Sequence, residues 1–124
     1  MAKVNSVGAL RDLRTLIRSA PDEVGRALFQ ETQIELNEVK RLTPVKTGAL
    51  RASEIATGPF REGNKIWTEI SAGGPTADYA FHVHEDMEAF HADGQAKYIE
   101  QPLRESAPYL AERIASRIDL KKLL

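Results

Sequence analysis

Cysteine is absent from the 124 residues, which excludes a disulfide framework, a thiolate metal site and a cysteine nucleophile. Such a composition suits assembly in a reducing cytoplasm. No apolar run approaches the ~20 residues that span a bilayer, and no N-terminal stretch combines a basic start with an apolar core, so the chain reads as neither inserted nor exported by a signal peptide. Aromatics are few, with a single tryptophan, and no excess of one charge sign exists overall, the net charge being −1. Nothing repeats and nothing is of low complexity. With 42% hydrophobic residues, the length predicts one compact domain over 1–124, with a core too modest to divide.

The charges are unevenly placed. Residues 1–51 carry nine Lys/Arg against six Asp/Glu, residues 52–100 three against nine, and residues 101–124 five against three. An acidic middle repels phosphate, and sequence-specific DNA binding is not expected of it.

Hydrophobic periodicity sets out the elements. Val7, Leu10, Leu13 and Ile17 repeat at steps of three and four, an amphipathic helix over Ser6 to Arg18. Ser19, Pro21 and the acids Asp22 and Glu23 stop it and start a second helix, Pro21 to Leu42, with Ser19 as the expected cap. Its stripe is Leu28, Phe29, Thr32, Leu36 and Val39; Glu31 and Glu35 fall with Glu38 and Arg41 on a face read either as solvated or as a charged seam between subunits. Val24 and Ile34 lie off the stripe and are expected to be exposed.

Pro44 ends this helix, because it biases Thr43 out of the helical region, and Gly48 permits a turn before a strand over Ala49 to Thr57. Leu50 and Ile55 have opposite parity in such a strand and require a bulge. Turns are expected at Gly58-Pro59 and Glu62-Gly63-Asn64, then a strand over Lys65 to Ala72 with Ile66, Thr68 and Ile70 on one face and Trp67 on the other. A further strand over Tyr79 to Glu85 and a projecting loop over residues 86–97 follow. The last helix carries Ile99, Leu103, Ala107, Leu110, Ile114 and Ile118, with Pro108 expected to kink or divide it. The fold class is therefore α+β: a helical segment 1–42 and a C-terminal helix 98–120 packed on a three- to four-stranded antiparallel sheet within 43–85.

Three blocks in this order resemble a known family. Thr43-Pro44-Val45-Lys46-Thr47-Gly48-Ala49-Leu50-Arg51, then Tyr79-Ala80-Phe81-His82-Val83-His84-Glu85, then Gly94-Gln95-Ala96-Lys97-Tyr98-Ile99-Glu100-Gln101-Pro102-Leu103 are similar to blocks of the neck, or tail-completion, proteins of long-tailed double-stranded DNA bacteriophages. The similarity covers roughly Val24 to Ile118. Lys46 stands where that family commonly has an acid, and Tyr98-Ile99 where it has Phe-Leu.

The resemblance implies a structural, non-enzymatic virion protein without a cofactor, made in the host cytoplasm. It would join head to tail in a homo-oligomeric ring, beside head-connector and tail-tube or tail-terminator proteins, with DNA passing but not read for sequence. The family-motif residues it marks here are Thr43, Pro44, Thr47, Gly48, Leu50, Arg51, Tyr79, Ala80, His84, Glu85, Gly94, Lys97 and Pro102, in packing and orienting roles.

One constellation offers chemistry of another kind. His82 and His84 share a strand face, and His91 in the following loop could complete a three-histidine zinc site of a hydrolase-like domain. The alternative reading makes the three histidines polar surface or subunit contacts. A bacterial adaptor unrelated to phage is the other rival. Gly73-Gly74-Pro75 lacks the Lys and Ser/Thr of a phosphate loop.

Overall fold

A computed structural model describes residues 6–44, 48–73 and 99–118, and these form an α+β arrangement. Helices α1 (Ser6–Ser19) and α2 (Pro21–Leu42) are followed by a short α3 (Ala49–Ser53), an antiparallel hairpin of β1 (Ile55–Glu62) and β2 (Lys65–Ser71), and α4 (Glu100–Ser116). The described sheet has two strands, not three or four. The strand expected at Tyr79 to Glu85 and the loop over residues 86–97 lie outside the described residues.

Helix α2 is the central element. The hairpin packs on one side of it, and α1 and α4 pack on it and on each other. Leu13 and Leu16 of α1, Val24 and Ala27 of α2, Ile114 of α4 and Ile118 just beyond it form one core cluster, joined by Ile66 of β2. Val39 and Leu50 form a second, with Leu42, Ile70 and Ile99 against it. The β2 alternation thus holds: Ile66 and Ile70 face the helices, whereas Trp67 stacks with Phe60 at 5.6 Å between ring centroids.

Several sequence expectations are corrected. Leu10 is 48% exposed and Leu16 is buried in its place, so the inward face of α1 is turned toward Leu13, Leu16 and Ala20. Val24 is buried because α1, α4 and the hairpin enclose more of α2 than a single stripe would suggest; Ile34 is exposed as expected. Ser19 does not cap α2: Ala20 holds that position, and the Ser19 hydroxyl donates to the Thr15 carbonyl.

Ala49–Ser53 is helix and not strand. Ala, Leu and Arg are strong helix formers, and the Leu50/Ile55 parity conflict reflects a change of element between them. Gly58-Pro59, joined by a cis bond, forms no turn but interrupts the register inside β1, between Thr57 paired with Glu69 and Phe60 paired with Trp67. Pro108 does not divide the last helix, which is continuous over Glu100–Ser116. The proline is exposed, on the side where a carbonyl freed of its partner can meet water.

Candidate functional site

The first motif block builds a buried elbow between α2 and the hairpin. Thr43 leaves the helix with φ −68° and ψ 129°, the extended conformation that a following proline imposes, while its backbone N–H still donates to the Val39 carbonyl. Gly48, at φ 81°, then opens α3. A side chain would meet no atom there, so the left-handed backbone alone calls for glycine. Leu50 drops into the core beside Val39, and Arg51 reaches back to donate from Nη2 to the Thr43 carbonyl at 3.0 Å.

Inside the elbow lies a carboxyl group that sequence reasoning missed. Glu54 is 1% exposed, and its Oε2 is bonded to Thr43 Oγ1 at 2.5 Å. Burial raises its pKa, opposed by the Thr43 hydrogen bond and by the charges of Lys40 and Arg51. Ser53 closes the other side: its hydroxyl donates to the Leu50 carbonyl at 2.6 Å and accepts the Gly73 N–H at 2.9 Å. The signal that could have found Glu54 is its place between a helical run and the first strand residue, Ile55.

A second polar layer joins α2 to α4. Glu31 and Glu35, expected on a solvated face or a seam between subunits, are 4% and 6% exposed within the single chain. Arg117 donates from Nε to Glu31 at 2.8 Å and from Nη1 to Gln30 at 3.3 Å. Arg113 stands 3.7 Å from Glu35, which also accepts the Ser106 hydroxyl. The matched spacing could have revealed this layer, since acids at 31 and 35 meet bases at 117 and 113 when two helices run antiparallel. Each buried charge is thereby paired, as burial of a carboxylate requires.

Among the expected site residues, Thr43, Pro44, Gly48, Leu50 and Arg51 come together in the elbow. Pro102 is buried, lining with Ile34, Glu38 and Tyr109 an open groove of about 610 Å³ between α2 and α4. A groove of about 420 Å³ separates the start of α2 from the hairpin, with Phe29, Pro59, Phe60 and Ile66 on its walls. Thr47, Tyr79, Ala80, His82, His84, Glu85, His91, Gly94 and Lys97 lie outside the described residues. Among the described residues no group of His, Cys, Asp and Glu gathers as metal ligands, and no helix is long and apolar enough to cross a membrane. Compared with protein-family models, with curated proteins and with solved structures, the chain has no match.

Proposed function

We propose that this chain is a structural protein of the neck of a long-tailed double-stranded DNA phage or related particle. It completes the tail at the head–tail junction as one subunit of a ring around the DNA path. The observation that carries the reading is the order of three sequence blocks along Thr43 to Leu103. The elbow supports it: the first block spends its threonine, glycine, leucine and arginine on fixing one helix against a hairpin, the task of a rigid subunit body. The second block is then a third strand of the sheet, over Tyr79 to Glu85, and the third block leads into α4. The ring's neighbours are a head connector and a tail-tube or tail-terminator protein.

Native mass spectrometry of the purified chain, alone and mixed with the connector and tail proteins encoded beside it, tests this. A monomer that becomes a ring of defined mass in the mixture is the expected result. A chain that ignores those proteins while engaging an unrelated bacterial partner removes the neck reading in favour of an adaptor.

A further inference from the structure

Helices α2 and α4 neutralise their own arginines. Arg26 pairs with Glu23, Arg41 with Glu38 and Arg104 with Glu100, while Arg113 and Arg117 cross to Glu35 and Glu31. Helix α1 does the opposite. Arg11, Arg14 and Arg18 recur at steps of three and four, which places them in one row on the side facing away from Leu13, Leu16 and Ala20. All are exposed, and none meets a carboxylate among the described residues. The only acid of α1, Asp12, is one and two residues from Arg11 and Arg14, separations that do not face each other on a helix. Like charges at i,i+3 and i,i+4 repel, so the row works against its own helix unless an outside anion covers it.

We propose that α1 is a nucleic-acid contact, its row of Arg11, Arg14 and Arg18 binding the phosphate backbone of duplex DNA without reading sequence. At 1.5 Å rise per residue the row is about 10 Å long, and a duplex presents a charge every ~1.7 Å of its axis, so each guanidinium can find a phosphate in any register. The planar fork of arginine matches phosphate oxygens two at a time. Helix α1 has no Asn or Gln for reading adenine edges, and the one hydroxyl in the row, Thr15 Oγ1, is committed to the Arg11 carbonyl.

The hairpin is charge-balanced, with Arg61 and Lys65 against Glu62 and Glu69, so a polyanion is drawn to the row on α1 rather than to the hairpin. An acidic protein surface fits less well, because a protein interface needs an apolar centre and, among the described side chains of α1, Leu10 alone borders the row as a large exposed apolar group. The inference goes beyond the neck reading and does not depend on it, being a property of one helix of the single chain.

The test is fluorescence anisotropy of labelled random-sequence DNA duplexes titrated with the full chain over a series of salt concentrations. Three phosphate contacts give a slope of log affinity on log salt of roughly −2.7, falling by about 0.9 in magnitude with each of R11Q, R14Q and R18Q, and the same for unrelated duplex sequences. Glutamine keeps helix propensity, so circular dichroism separates loss of binding from loss of fold. A measurement without variants runs alongside: amide shifts on adding duplex to the wild-type chain centre on α1. The proposal is overturned by an absence of binding at low salt, by a slope unchanged in R11Q/R14Q/R18Q, or by shifts confined to the hairpin. It is equally overturned if the triple variant keeps its DNA affinity and loses an acidic protein partner instead.

Discussion

Thr43 Oγ1 stands 2.6 Å from the Val39 carbonyl oxygen and 2.5 Å from Glu54 Oε2, with one proton for two acceptors. A hydroxyl donates once, so both contacts are hydrogen bonds only when Glu54 carries a proton of its own. The acid then donates to Thr43, and Thr43 donates on to the end of α2. Burial, which raises the Glu54 pKa, favours that form.

The pH dependence follows from that direction. A carboxyl whose pKa is higher folded than unfolded binds more protons in the native state, so its contribution is full below the unfolded value and is lost as pH rises through the folded value. Glu54→Gln supplies an amide donor that does not titrate. Urea melts across the acidic-to-neutral range will show this variant gaining on wild type as pH rises. A difference that stays constant, or that shrinks with rising pH, would show that Glu54 is ionised in the elbow.

The α2–α4 seam predicts an asymmetric double-mutant cycle. Arg117→Ala leaves the Glu31 carboxylate, 4% exposed, without its cation and should cost about 1–3 kcal/mol. Combining it with Glu31→Gln should recover part of that loss, because a neutral amide tolerates the site better. Chemical denaturation of the four proteins checks it; strictly additive effects would mean that the pair is not coupled.

Thr32 and Thr68 form a second hydroxyl relay, between α2 and β2. Their Oγ1 atoms lie 2.6 Å apart, and Thr32 also donates to the Leu28 carbonyl at 2.8 Å, so Thr68 is the donor of the pair. Thr32→Val strands that donor, whereas Thr68→Val leaves Thr32 bonded within its helix. Stability should fall by about 1–3 kcal/mol for the first and by about 0.5–1.5 kcal/mol for the second. The reverse order in thermal melts would assign the proton the other way.

Gly25 sets how closely the hairpin can approach α2. A Cβ there would stand 3.0 Å from Pro59 Cγ and 3.2 Å from Pro59 Cβ, against a ring that cannot swing aside. Gly25→Ala therefore sets a gain in helix propensity of about 1 kcal/mol against an overpacking cost of about 1–3 kcal/mol. A net loss of stability is expected in denaturant titration. A net gain would mean that the hairpin can shift.

The elements legible from residue order alone are those whose signals are local. The α1 span, the α2 span ended by Pro44, the Gly63-Asn64 turn and the alternation of β2 all rest on propensity, period or turn chemistry within a few residues. The burial of several side chains was set instead by contacts between segments distant in sequence. Glu31 and Glu35 read as surface because carboxylates usually are; they are interior because Arg117 and Arg113, 86 and 78 positions away, arrive to pair with them. Val24 became core because three elements close on α2, and Glu54 became the centre of the elbow because α3 and the end of α2 converge on it. A local pattern can specify a helix or a strand. Whether a charge is solvated depends on partners that only the folded chain brings within reach.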